Sequence, residues 1–274
     1  MRIEKYIVHK GWQGFGDRLQ CLSYAVSISK ACSRSLIVDW NDRIWSHDEK
    51  GFYDYFRFEG IQQPRKRVPD NASVHPSFWQ GILEKQCDDW CHNIKDWLEL
   101  RLDLLPPEDV WVLGSVGFRR WDFNQLVHHL HMKQPVARAI REHLKQFDPS
   151  VPVVHLRGTD KAFSEEVWQR LRQSAPVAQI VSDDLRLVNR WLKESPDSIV
   201  LTDTLVASEG GGHLLPSDQL PKTKYEMNIR LLADFLIIGK AKQAYGLVED
   251  SSFFEMARLF GSCGGFEKVY EASL

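Results

Sequence analysis

The sequence predicts an α/β fold built in two halves. Three observations carry this reading. Strand-like and helix-periodic segments alternate along the chain. A glycine-rich turn, GWQGFG (11–16), follows the first strand-like run and precedes a helical pattern. A strong break, DPSVP (148–152), separates two stretches that each repeat the alternation. With 274 residues, 43% of them hydrophobic, the chain is long enough to bury a core in each half.

In chain order, KYIVH (5–9) reads as the first strand. Asp17 is suited to cap a helix running to about Cys32, with Leu19, Leu22, Val26 and Ala31 near one face. SLIVDW (35–40) is the second strand, which completes a doubly wound β–turn–α–β unit. Residues 41–83 are crowded with aromatics, prolines and charges and give no clean assignment. CDDWCHNIKDWLELRL (87–102) reads as helix and VWVLG (110–114) as strand. PVARAIREHLKQF (135–147) is a helix with Pro135 in its first turn. The break then places the domains at 1–148 and 149–274.

In the second half the strands are PVVHL (152–156), VAQIVS (177–182), SIVLTD (198–203) and QAYGLV (243–248). The helices are SEEVWQRLRQ (164–173), DDLRLVNRWLKE (183–194), KYEMNIRLLADFLIIGKA (224–241) and SSFFEMARLF (251–260). ASEGGGHLLPSD (207–218) is a polar loop too long for a plain connector. No internal repeat of solenoid period occurs.

Composition excludes several classes. Thirty-five basic and 37 acidic residues leave a net charge of −2, which argues against a general nucleic-acid or membrane-surface binder. No apolar run reaches the roughly 18 to 20 residues of a membrane span. MRIEKYIVHK lacks a signal-peptide core, so a cytoplasmic address is expected. Five cysteines without disulfide spacing read as reduced thiols. CDDWCH offers Cys87, Cys91 and His92, but no second ligand pair matches them, and a helix bearing two cysteines at i,i+4 is the better reading. HHLHMK (His128, His129, His131) reads as a solvated helix face. No metal site is expected.

The candidate chemistry lies at strand ends, where sheets of this kind bind ligands. Arg157 follows PVVHL directly and can grip a phosphate with two parallel hydrogen bonds, or pair with Asp160. Gly158 lets the backbone turn close to a ligand. Asp183 and Asp184 follow VAQIVS and can hold a ligand or cap the next helix. Asp234 sits in the apolar run LLADFLIIG, where a carboxylate needs a ligand, an arginine or solvent. A carboxylate there can accept from the N1–H and N2–H groups of guanine. Ser251 and Ser252 open a helix after QAYGLV, as an anion site or as a simple N-cap.

The ordered set resembles a known family. GFGDRLQCLSYAVSISKACSRSLIVDW (14–40), HLRGTDK (155–161), VSDD (181–184) and LADFLIIGKAKQAYGLVEDSSFFEMARLFG (232–261) are similar to segments of the GT-B fucosyltransferases. These include the nodulation and α1,6 types and, more distantly, the protein O-fucosyltransferases. The resemblance covers residues 11–40 and 151–261 and does not extend to 41–130. It implies two Rossmann-like domains facing a central cleft, with the acceptor mainly on the first. A GDP-sugar would sit on the second, with no divalent metal and no other cofactor. By matching position, Arg157 would hold the β-phosphate, and His155 and Asp234 would contact the guanosine. Ser251, Ser252 and Phe253 form the matching helix start at the diphosphate. Asp183 falls in the matching acidic segment. Gly14, Phe15 and Gly16 would approach the donor from the first domain. Glu165 matches the proposed catalytic carboxylate of the α1,6 group, although a first-turn acid also suits the helix dipole. Asp160 and Lys161 would orient the arginine and the acceptor. Gly158 stands where the α1,6 and nodulation types carry a second arginine, which the O-fucosyltransferase type lacks.

The resemblance therefore implies an inverting glycosyltransferase, with GDP-fucose as the first-choice donor and a glycan or other hydroxyl as acceptor. The alternative is a non-catalytic nucleotide-sugar or glycan-binding protein on the same fold.

Overall fold

The computed structural model describes residues 4–11, 14–42, 45, 50–64, 66–85, 105–114, 123–158, 164–206, 215, 217–246 and 251–264. The expected helix at 87–102, with Cys87, Cys91 and His92, lies outside them, as do Asp160, Lys161 and most of the 207–218 loop. The chain divides into two compact units, 1–132 and 133–274. The division falls ahead of the helix α4 (Gln134–Leu144) rather than after it at Asp148, because α4 packs on α7 (Lys224–Lys240) of the second unit.

The first unit holds a parallel sheet in the order β2 (Ser35–Asp39), β1 (Tyr6–Lys10), β5 (Val110–Leu113), β4 (Val74–His75). β1 is buried along its whole length, as an interior parallel strand must be. Helix α1 (Phe15–Cys32) follows the glycine turn. Its N-cap is Gly14, so Asp17 lies inside the first turn, where its charge favours the helix, and does not cap it.

The unassigned 41–83 region contains the short helix α2 (Phe52–Tyr55), β3 (Phe56–Phe58) and β4. An aromatic cluster organises it. Trp40 meets Trp45 edge-on at 5.0 Å and Phe52 at 4.9 Å, and Phe15 stacks on Trp45 at 5.5 Å.

HHLHMK is not a solvated helix face. His128 and His129 end α3 (Phe123–His129), and His131 lies on β6 (Leu130–Met132), which pairs antiparallel with β3. That pairing leaves His131 only 7% exposed.

The second unit holds a parallel sheet in the order β10 (Ala244–Tyr245), β7 (Val153–Leu156), β8 (Gln179–Ser182), β9 (Ile199–Val200). Strand alternation directs Val154 and Leu156 into a core shared with Ile180, Trp168 of α5 (Glu165–Ser174) and Trp191 of α6 (Leu185–Glu194). His155 points to the other face, where α7 and α8 (Ser252–Ser262) pack. Cys21, Cys32 and Cys263 are free thiols.

Candidate functional site

The site begins at the carboxyl ends of β7, β8 and β9. A string of hydrogen bonds locks these ends together. Ser182 Oγ donates to the Leu156 carbonyl at 2.6 Å, and the Ser182 amide donates to Thr202 Oγ1 at 3.1 Å. Thr202 Oγ1 donates in turn to Asp234 Oδ2 at 2.9 Å. The other Asp234 oxygen accepts from Arg230, one helical turn away on α7. Asp234 is therefore buried against an arginine, one of the three surroundings its sequence context allows. Burial pushes its carboxyl up to about 6, against the opposing pull of Arg230 and Thr202.

His155 is 5% exposed and its Nδ1 has no hydrogen-bond partner among the described residues. Its ring stacks on Phe254 at 5.9 Å and tilts against Phe253 at 5.5 Å. These contacts bring the start of α8 to the end of β7. Burial, helped by the neighbouring charge of Arg157, pushes the imidazole down to about 3. The ring is thus neutral at physiological pH, and its Nδ1 can serve as donor or as acceptor according to the tautomer. Arg157 follows on the loop and is half-buried. Ser251 is the N-cap of α8, its Oγ accepting from the Phe254 amide at 3.3 Å, and Ser252 is the first helical residue.

The acidic pair divides its work. Asp183 Oδ1 accepts from the Gly158 amide at 3.0 Å, which pins the loop after β7 to the loop after β8. Asp184 caps α6, accepting from the Arg186 amide at 2.7 Å, and its carboxylate also accepts from the Arg186 guanidinium. A Cβ at position 158 would lie 2.6 Å from Asp184 Cβ and 2.7 Å from its Cγ. Only glycine fits there without displacing Asp184.

Glu165 stands apart from this cluster. It is the first residue of α5 behind the Ser164 cap, its side chain is 64% exposed, and it accepts from Arg190 at 2.5 Å and Gln169 at 3.0 Å. Those hydrogen bonds, Arg190 first, hold its carboxyl below the usual range. In the first unit, Gly14 is an exposed N-cap whose carbonyl accepts from the Arg18 amide at 3.1 Å. Phe15 and Gly16 are buried, with the Phe15 ring in the aromatic cluster.

The sequence reading missed three arginines. Arg230, Arg186 and Arg190 hold Asp234, Asp184 and Glu165. The i,i+4 spacing of Arg230 and Asp234 was the one readable signal. Among the described residues no cluster of three His, Cys, Asp or Glu side chains is placed to hold a metal, and no helix is long and apolar enough to cross a membrane.

No family model and no curated protein matches the chain. Solved structures do. The fucosyltransferase NodZ from Bradyrhizobium superposes with a TM-score of 0.67 at 15% identity, over 94% of each chain. NodZ α-1,6-fucosyltransferase co-crystallised with GDP gives 0.66 at 16%, over 94% of this chain and 93% of that one. POFUT1 in complex with GDP gives 0.51 at 13%, over 93% of each. The chain has the fold of these fucosyltransferases. At such identities the likeness concerns the fold, and the chemistry must be argued from the residues.

Proposed function

We propose that the chain is an inverting glycosyltransferase that takes its sugar from a GDP-sugar, GDP-fucose first. The observation that carries this reading is the strand-end cluster of neutral His155, Arg157 and the Ser251-capped start of α8. It stands on a fold shared, across nearly the whole chain, with fucosyltransferases crystallised with GDP. In the proposed reaction the acceptor oxygen attacks the anomeric carbon. The bond from that carbon to the β-phosphate oxygen breaks, and GDP leaves with the electron pair. The acceptor proton passes to a carboxylate.

Each residue then has a task. Arg157 faces the β-phosphate, where charge grows as the bond breaks. Amides at the start of α8, with Ser251 and Ser252, take the remaining phosphate oxygens. His155 and Phe253 border the nucleoside. Asp234 accepts from guanine with the lone pairs that Arg230 and Thr202 leave over. Asp183 fixes the Gly158 turn. Glu165 is the proton acceptor once it parts from Arg190, and Asp160 and Lys161 orient the acceptor. No divalent metal takes part.

The deciding experiment is turnover of radiolabelled GDP-fucose by wild type and Arg157→Ala, both checked for folding by circular dichroism. An interaction that strengthens in the transition state lowers kcat more than it raises KM, and its loss costs about a hundredfold in rate. A folded Arg157→Ala protein with wild-type rate would sink the mechanism. A wild type that bound GDP without turning over any donor would instead favour a binding protein, a reading to which the engagement of Glu165 by Arg190 lends weight.

A further inference from the structure

We infer that Arg230 is a positioning residue that sets which base the nucleoside site accepts: its charge keeps Asp234 an acceptor only, the partner of guanine, where the acid without it would suit adenine. The inference rests on the GDP-sugar reading above, in which Asp234 meets the base. It assigns the choice of base to a second residue, which acts through that contact.

Guanine presents two donors side by side, N1–H and N2–H, whereas adenine presents a donor, N6–H, beside the bare acceptor N1. An ionised carboxylate only accepts, and a protonated one carries an O–H donor beside an acceptor. The charge state of Asp234 therefore decides which edge it complements. Asp234 is 6% exposed, and its neighbours Ala233, Phe235 and Leu236 are buried with it. A carboxyl group buried in apolar surroundings with no opposite charge takes up a proton rather than keep its own charge.

Arg230 opposes this. It lies one turn earlier on α7, is 2% exposed, and donates through Nη2 to Asp234 Oδ1. Both groups are buried, so salt and water screen the pair little. Thr202 Oγ1 donates to Oδ2 at 2.9 Å, which leaves each carboxylate oxygen a further lone pair for the base. The other arm of Arg230, Nη1, lies 3.2 Å from His143 Nδ1 on α4. An arginine can only donate, so the ring accepts there and is neutral. Burial, then the charge of Arg230, holds that imidazole below its usual range. Asp234 and His143 thus hold the guanidinium between them. Burial still pushes the Asp234 carboxyl up to about 6, and the charge and hydrogen bond of Arg230 are the largest effects against it. Asp203, which accepts from Lys222 at 2.5 Å, adds a lesser push upward. From β7 the neutral His155 ring lies on the α7 side of the sheet, and from α8 Arg258 donates to the Ile238 and Ala241 carbonyls farther along α7. Asp234 is therefore ionised at neutral pH by a narrow margin, and Arg230 supplies it.

The test measures GDP and ADP affinity by calorimetry in wild type, Arg230→Met and Arg230→Lys, with inorganic pyrophosphate as a probe of the phosphate contacts. GDP and ADP carry the same phosphates, so the ratio of their affinities isolates the base. At pH 7.5 wild type should prefer GDP by about tenfold or more, the worth of hydrogen bonds to a charged acceptor. Methionine fills much of the same space without the charge, so Asp234 takes up a proton and the preference should shrink to about twofold or less, with pyrophosphate bound as before. Arg230→Lys keeps the charge and should keep most of the preference. A methionine variant with its GDP preference intact, or one that loses GDP, ADP and pyrophosphate in equal measure, overturns the inference and leaves the GDP-sugar reading standing. A lysine variant as indiscriminate as the methionine one does the same, because charge would then not be the cause. A second measurement needs no variant. As pH falls from 7.5 to 5 and Asp234 takes up its proton, the wild-type preference for GDP should fall several-fold, and a preference constant across that range overturns the inference. If wild type at pH 7.5 does not prefer GDP to ADP, the guanine contact of Asp234 is itself wrong, and the GDP-sugar reading falls together with the inference.

Discussion

A histidine buried without a counter-charge makes stability depend on pH, and among the described residues His155 and His9 are two such rings. His155 closes the site. His9, on β1, accepts from Trp40 Nε1 at 3.1 Å through Nδ1, while its Nε2 is buried without a partner among the described residues. Burial first, then the charge of Arg18 for His9 and Arg157 for His155, pushes both rings down to about 3. The unfolded chain takes up these protons near pH 6.5, before the folded protein does. The stabilisation is therefore fully present above about pH 6.5 and is lost as pH falls toward 3, by about 1.4 kcal/mol per pH unit for each ring. Asp234 acts in the opposite sense. Its carboxyl is pushed up to about 6, so the folded protein holds that proton where the unfolded chain has released it, and this offsets one ring between about pH 6 and 4. Stability by urea denaturation should fall from pH 7 to pH 5, and the fall should be shallower in His155→Phe by about one ring's share. Equal slopes in the two proteins would mean that His155 is not held neutral by the fold.

At the scale of elements, the end of α8 is fixed by a close crossing. A Cβ at Gly261 would lie 2.7 Å from the Gly239 carbonyl carbon and 2.9 Å from its Cα, so α8 passes over the backbone of α7 with no room for a side chain. Backbone cannot step aside as a side-chain tip can. Gly261→Ala should cost about 1 to 3 kcal/mol by overpacking, although alanine is the better helix former by about 1 kcal/mol. Ser262→Ala, exposed one residue later, should change stability by less than about 0.5 kcal/mol. If melting temperatures show no difference between the two variants, the crossing is looser than described. These helices were legible because each carries its own signals: Pro135 in the first turn of α4, the caps Ser164 and Ser251, and apolar periodicity. The capping box of Thr223 and Glu226 at α7 was equally readable. α2, β3 and β6 were not, because a three-residue antiparallel pair has no period to detect, and the aromatic cluster around Trp40 and Trp45 has no regular spacing and takes in Phe15 from α1.

At the scale of the whole molecule, the fold followed from strand–helix alternation in each unit, and the strand-end loops marked the candidate site. What the sequence withheld was the pairing of charges across elements. Arg190 reaches Glu165 from α6, and Ser182 and Thr202 tie three strand ends to Asp234, at separations that no local pattern encodes. These pairings bear on the question of metal. In the proposed mechanism the counter-charge for the departing diphosphate comes from Arg157 and the start of α8. The two adjacent carboxylates best placed to bind a cation are already engaged, Asp183 by the Gly158 amide and Asp184 by Arg186. A divalent ion bound there would have to displace Arg186 and break the cap of α6, so its arrival would cost rather than add order. Transfer from GDP-fucose should therefore continue unchanged in excess chelator, and added magnesium or manganese should not accelerate it. Asp183→Asn should lower the rate through a loosened Gly158 turn, with no change in the response to metal. If chelator abolished turnover and magnesium restored it in wild type but not in Asp183→Asn, Asp183 would be a metal ligand, and the positive charge assigned to Arg157 and α8 would belong in large part to the ion.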